Sequence, residues 1–246
     1  VAETRRAQQR RQLVDEITAE ARRQLEAGGP AGVSWRSIAR HVGLSPASLY
    51  TYFASLDELF TELLLRSYGA LAAATTEALA AFADTPVGDR LLVGPLAYRR
   101  WALEHRAEFN LVFTDQIPGY AAEPGGPTVD AQVAVFRPMA ATLAEARGVG
   151  REALGDDPAR SPELETSLGL WGLFHGLTTL EVNHHLDWLD AAAVFEGRMR
   201  AALDAACLPA AAADTARRFE RWAVRRRRGQ ARSSTTTGIS RSVARS

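Results

Sequence analysis

Residues Ser34–Phe60 read SWRSIARHVGLSPASLYTYFASLDELF, and their caps and breakers alone mark three closely spaced helices. Ser34 suits an N-cap for a helix burying Ile38, Ala39 and Val42, and Gly43 stands where a left-handed residue ends it. Ser45 caps the next helix, with Pro46 at the first helical position, where its missing N–H costs nothing. Ser55 with Glu58 forms a capping box that opens a long helix carrying Leu59, Phe60, Leu63, Leu64 and Leu71. Two short helices joined by the tight Gly43-Leu44-Ser45 turn match a helix-turn-helix, whose second helix enters the major groove of DNA. Leu49 and Phe53, four apart, face inward, so Ala47, Ser48, Thr51 and Tyr52 face outward. The small Ala47 and Ser48 allow close approach to base edges, and Ser48 and Thr51 donate or accept there. Tyr50 and Tyr52 carry hydroxyls within reach of phosphates. Arg36 is the cation beside this face, and the capped helix starts at Ser34 and Ser45-Pro46 present N–H groups suited to phosphate.

Outward from this stretch, apolar residues recur with helical period and no segment alternates as a strand would, so the expected fold is all-α. The first helix spans about Arg5 to Ala27, with Leu13, Ile17, Ala21 and Leu25 on one face, and stops at Gly28-Gly29-Pro30. Beyond Ala83 the pattern predicts longer helices over Val87–His105, Ala107–Gln116, Val129–Arg147, Pro162–His185, Ala191–Leu208 and Ala211–Arg228. Pro118–Pro127 and Gly148–Ser161 read as loops, and the polar run from Gly229 onward reads as disordered.

The 246 residues are 46 % hydrophobic and 24 % charged, with 29 basic residues, all arginine, balancing 29 acidic ones. Neutrality hides segregation: net +3 over residues 1–50, −12 over 51–216 and +9 over 217–246. A polyanion is therefore repelled by the middle and docks only at an end. Cys207 is the lone cysteine and forms no intramolecular disulfide. No apolar run reaches the about 18 residues of a membrane span, so a soluble cytoplasmic chain without a membrane partner is expected. No phosphate-binding glycine loop and no Gly-x-Ser-x-Gly elbow is present, and neither an enzyme nor a cofactor is expected.

The quoted stretch closely resembles the N-terminal DNA-binding domain of the TetR/AcrR family of bacterial transcriptional regulators. The shared pattern is a Ser-capped helix with Ile-Ala, a Gly-Val/Leu-Ser turn, a Leu-Tyr-x-Tyr-Phe recognition helix and a Leu-rich helix, over about Arg5 to Tyr68. The resemblance implies that Ser34 and Tyr50 contact phosphates, while Arg36, Ala47, Ser48, Thr51 and Tyr52 read bases or adjoining backbone. Two positions depart from the pattern. Leu56 stands where the family usually has Lys, removing a phosphate contact, and Ala47 stands where Gly is frequent.

The same resemblance implies an N-terminal domain over 8–68, a helical effector-binding and dimerisation domain over 69–228, and a basic tail over 229–246. The segment SPELETSLGLWGLFHGLTTLEVNHH, with Ser161 as N-cap, is apolar nearly all round, as a helix buried on two sides must be. Its Trp171-Gly172-Leu173-Phe174-His175-Gly176 run resembles the WHG-type C-terminal domain of this family. Gly172, Gly176 and Leu173 form a smooth strip for a partner helix of a second copy. His175 with Trp171, Tyr98, Trp101, Phe109 and Phe113 is a candidate aromatic lining for a small hydrophobic effector. The expected function is therefore a repressor that binds palindromic double-stranded DNA as a homodimer. The alternatives are an interaction module that has lost DNA binding, and a metal sensor or enzyme using Glu181 and His185, four apart. The arginine-rich end Arg217–Arg228 reads as a final docked helix and solvated tail, with an auxiliary DNA contact as its second reading.

Overall fold

The computed structural model describes residues 5–115, 117, 119–122, 125–149 and 162–243, without the side chains of 162–164 and 230–243. Among the described residues the backbone forms ten α-helices and no strand. In chain order these are α1 (Arg5–Gly28), α2 (Trp35–His41), α3 (Pro46–Leu49), α4 (Leu56–Ala81), α5 (Val87–Glu104), α6 (Arg106–Phe113), α7 (Pro127–Ala146), α8 (Pro162–Val182), α9 (Ala191–Ala205) and α10 (Thr215–Val243). A short 3₁₀ turn, Pro30–Gly32, follows α1 after Gly29 turns the chain at φ 64°.

Two compact units result. The first comprises Val1–Thr76, Tyr98–Pro138 and Thr178–His185, and the second Glu77–Ala97, Met139–Leu177 and Leu186–Ser246. α4 runs unbroken through the expected boundary at 68/69.

In the first unit, α1 presents Ile17, Ala21 and Leu25 at intervals of four, and all three are buried. They meet Ile38 and Ala39 of α2, Leu49 and Phe53 around α3, Leu59, Phe60, Leu63 and Leu64 of α4, and Leu111 of α6. Each such large side chain taken out of water contributes about 1.5–3 kcal/mol before chain entropy is set against it. α6 also brings a charge to α1. Arg22 is ion-paired with Glu108, and its guanidinium lies 3.2 Å from Nδ1 of His105.

The second unit packs Leu91, Leu143, Leu203 and Leu208 into one cluster. Asp89, buried on α5, accepts hydrogen bonds from the Ala212 N–H (2.7 Å), from Thr215 Oγ1 (2.6 Å) and from Arg218. Burial opposes its charge, but these donors win and hold the carboxyl below its ordinary range. The start of α10 is thereby tied to α5, and Phe219 and Trp222 continue the attachment, Trp222 meeting Phe82 edge-on at 6.3 Å.

Several expectations meet a different outcome. α8 ends at Val182 rather than His185, because His184 adopts φ 65° and the His185 N–H returns to the Leu180 carbonyl at 2.9 Å. This is the Schellman closure, here with histidine in the glycine position. α10 continues to Val243, where disorder is expected from Gly229. No proline interrupts the run, and a helix already nucleated by docked Phe219 and Trp222 gains one backbone bond per added residue. Ser161 and most of the Gly148–Ser161 loop lie outside the described residues.

Gly88 shows how tightly the second unit closes. A Cβ there would lie 2.2 Å from the Ala210 carbonyl oxygen, whereas a Cβ at Gly69 in α4 meets nothing within 4 Å. Gly88→Ala is expected to lower the urea midpoint, by about 1–3 kcal/mol of stability. Gly69→Ala should raise stability by about 0.5–1 kcal/mol. Equal midpoints for the two variants would contradict this packing.

Candidate nucleic-acid interface

The recognition face is built by caps. Ser34 Oγ accepts the Ser37 N–H at 3.3 Å, which starts α2. α2 ends in a second Schellman closure: Gly43 has φ 71° and the Leu44 N–H reaches the Ala39 carbonyl at 2.9 Å, while Leu44 packs on the core. Ser45 Oγ then accepts the Ser48 N–H at 3.1 Å and also meets Ser48 Oγ at 2.8 Å.

α3 proper is a single turn. Beyond Leu49 the bonds from Tyr50, Thr51 and Tyr52 return three residues, at 3.3, 3.2 and 2.9 Å, so the chain tightens towards 3₁₀ geometry instead of continuing as a regular rod to Phe53. Leu49 is fully buried and Phe53 nearly so, as their spacing predicts. Arg36, Ser45, Pro46, Ala47, Tyr50 and Thr51 are exposed and Ser48 is half-buried. Tyr52 departs from the expected outward position: it packs partly against the core, and the Arg10 guanidinium carbon lies 5.4 Å from its ring centroid. Thr51 Oγ1 donates to the Ser48 carbonyl at 2.7 Å, so towards a base its hydroxyl is an acceptor.

Three supports carry no helix-turn-helix signal in the sequence. Trp35 Nε1 donates to the Pro46 carbonyl at 3.3 Å and the Trp35 ring lies 5.3 Å from that of Tyr50, joining α2 to the recognition turn. Arg10 of α1 reaches the Thr51 carbonyl at 3.4 Å, bringing a second cation to the face beside Arg36. Its signal was the Arg5-Arg6…Arg10-Arg11 run. Glu20 and Gln24, buried on α1, form a polar strut: Gln24 Nε2 donates to Glu20 at 2.7 Å, and Gln24 Oε1 accepts the Ser34 N–H at 2.8 Å. Arg23 closes on Glu20 with two bonds of 2.7 and 2.6 Å. At the head of α4 the expected capping box is present: Ser55 Oγ accepts the Glu58 N–H at 3.1 Å, and the Glu58 carboxylate accepts the Ala54 N–H. Leu56 is half-buried against the core, which accounts for an apolar residue at that position.

Two family models match the chain: bacterial regulatory proteins of the tetR family over residues 17–63, and the tetracyclin repressor-like C-terminal domain over 95–203. The HTH-type transcriptional regulator Rv1816 of Mycobacterium tuberculosis is 34 % identical over 161 residues, covering 64 % of this chain and 67 % of that protein. The chain belongs to the TetR family. Among solved structures it is similar to the regulatory protein SCO4313, at TM-score 0.69 and 29 % identity over 82 % of this chain and all of that one. The fold is shared with the TetR-family regulator PfmR of Thermus thermophilus, at TM-score 0.54 and 20 % identity over 76 % of this chain and 97 % of that one. It is thus a DNA-binding transcriptional regulator of helix-turn-helix type.

Of the other candidate residues of this TetR-family regulator, Tyr98, Trp101, Phe109 and Phe113 belong to the first unit and Trp171 and His175 to the second. Tyr98, Phe109 and Phe113 form one ring cluster, with centroids 5.1–6.1 Å apart, and Tyr98 and Phe109 have no solvent exposure. A cavity of about 430 Å³ in the same unit is lined instead by Leu64, Tyr68, Leu111, Val112, Asp115, Ile117, Tyr120, Ala122, Thr128, Val129 and Gln132. Burial raises the Asp115 carboxyl above its ordinary value. Trp101 lines a different cavity, of about 320 Å³, beside Arg22, His105 and Glu108. On α8, Trp171 and His175 stack at 5.1 Å, and burial lowers His175.

Gly172 is exposed and neither it nor Gly176 has an atom within 4 Å of where a Cβ would sit, while Leu173 is half-buried. Leu168 and Leu180, four residues outside these glycines, are exposed on α8. Glu181 and His185 do not share a helical face, since α8 stops between them, and Glu181 is held by Arg99 through its guanidinium, one bond being 2.6 Å. Among the described residues no three His, Cys, Asp or Glu side chains are grouped to hold a metal.

The strut gives a pH-dependent expectation. The Arg23 hydrogen bonds outweigh burial and pull the Glu20 carboxyl down to about 2. A carboxyl lowered on folding stabilises above its unfolded value and loses that contribution as the pH falls towards its folded one. Wild type should therefore lose stability between about pH 4.5 and 2, and Glu20→Gln, which cannot ionise, should lose less over that range in urea titrations. At neutral pH Glu20→Ala, which leaves Gln24 half-satisfied, should cost about 1–3 kcal/mol.

Proposed function

We propose that this regulator is a homodimeric repressor that holds a palindromic operator and is released by a small hydrophobic effector. One observation carries the reading: Leu49 and Phe53, both withdrawn from water, turn Ala47, Tyr50 and Thr51 outward on a turn braced by Ser45 and Trp35. The exposed side chains are short or carry hydroxyls, which suits close approach to base edges and phosphates, with Arg36 and Arg10 as flanking cations.

Dimerisation is supported by the exposed strip Leu168, Gly172 and Leu180 on α8. Two copies would set their recognition turns about 34–36 Å apart, one turn of DNA. The effector seat best supported is the cavity bounded by Tyr68, Tyr120 and Asp115, whose wall combines Leu64, Val112, Ile117 and Val129 with the polar Asp115, Thr128 and Gln132. Its position beside α6 matters, because α6 carries Glu108, the partner of Arg22 on α1. A ligand that moves α6 must strain or break this pair. Burial raises Glu108, yet its His105 hydrogen bond and the Arg22 charge hold it below its ordinary value, so it remains a charged partner. An effector favouring the displaced arrangement by a few kcal/mol empties the DNA-competent state.

Gel retardation with the DNA upstream of the chain's own coding region tests the recognition face. Arg36→Ala and Tyr50→Ala are each expected to weaken binding about tenfold, equivalent to about 1.4 kcal/mol. Equal retardation by wild type and both variants would overturn the assignment. Sedimentation at micromolar concentration should give a two-chain species, and Gly172→Glu should convert it to single chains.

A further inference from the structure

α10 sorts its arginines by face. Arg218 is paired with Asp89 and Asp214, and Arg226 grips both carboxylate oxygens of Glu77 while lying 6.0 Å from the Trp222 ring centroid. With buried Phe219 and Ala223, these two arginines seat the helix on its unit. Arg217, Arg221, Arg225 and Arg228 do none of this. All four are exposed, and among the described residues none takes part in an ion pair or a side-chain hydrogen bond. At 3.6 residues per turn they fall within an arc of about 80°, with the exposed Val224 beside them, and rise about 16 Å along the axis.

Like charges four residues apart destabilise a helix, so this row opposes the element that carries it until an anion meets it. One strand of duplex DNA places a phosphate every 3.4 Å of axis, so the row faces about five phosphates. Guanidinium forks match phosphate oxygens two at a time. A lipid surface fits less well: a helix lying in a membrane inserts an apolar face, and here Phe219 and Ala223 are buried in the protein, leaving only Val224, among the side chains described, exposed on the arginine side.

We infer that the outward arginine row of α10, Arg217, Arg221, Arg225 and Arg228, is a second contact for the DNA phosphate backbone, independent of sequence and of the recognition turn. This rests on the chain's standing as a DNA-binding regulator and not on which residues read the operator.

The test uses the full chain and a random-sequence duplex, with affinity followed by fluorescence anisotropy across a salt series. Replacing all four arginines by Gln should make the logarithmic salt dependence shallower by about 3.6, at about 0.9 for each phosphate no longer neutralised, and Arg221→Gln with Arg225→Gln by about half that. The double variant covers the case in which the quadruple one fails to fold. A head variant, Arg36→Ala with Tyr50→Ala, should keep salt-dependent binding to the random duplex and lose it when the row is also replaced. Identical slopes with and without the row overturn the inference. So does an unchanged DNA slope accompanied by loss of pelleting with phosphatidylserine vesicles, which would assign the row to lipid. Failure of the recognition-face assignment has a different signature: wild type and head variant would bind the upstream DNA equally, whatever the row does.

Discussion

The withdrawal of Leu49 and Phe53 from water is the constraint on which the rest of the DNA-binding head depends. Two side chains four residues apart set the rotation of a turn too short to be stable alone. Once they are seated among Ile38, Leu59 and Leu63, the opposite side can only be the small and hydroxylated one. The face is therefore a by-product of core packing, and the caps at Ser34, Ser45 and Ser55 set where each segment begins.

Polar groups then give that packing its direction. Glu20 and Gln24 have no apolar role, yet both are buried, and the Ser34 N–H that Gln24 accepts is the start of the helix before the turn. A buried polar chain tolerates little displacement because an unmet donor or acceptor in such a place is costly. Arg22 with Glu108 applies the same constraint between α1 and α6. The head is thus held by charge and hydrogen bonds to helices outside the helix-turn-helix.

The charge segregation of the chain has two structural uses at its basic C-terminal end. Asp89 and Glu77 take one arginine each from α10, and this docking uses acidic residues of the negative middle. Arg217, Arg221, Arg225 and Arg228 are left outside, so one helix serves both as a clasp and as a cationic surface.

Caps, glycine stops and the four-residue apolar spacing are local properties, and for that reason the helix-turn-helix, the all-α class and nearly every helix start were legible in the amino-acid sequence. Leu49 and Phe53 as inward residues and Ala47 and Thr51 as outward ones follow from spacing alone, whereas Ser48 is half-buried. Tyr52 did not, because it packs on the core and beside Arg10, forty-two residues earlier. The tightening after Leu49, the strut from Glu20 to Ser34, the closure of α8 at His184 and the capture of Glu181 by Arg99 also escaped the pattern. Each is decided by which distant side chain arrives beside it. Sequence determines what a segment prefers by itself; the partners of a charged or buried polar group are assigned only when the helices pack, since a carboxylate or guanidinium has no preferred partner until burial removes water from the competition.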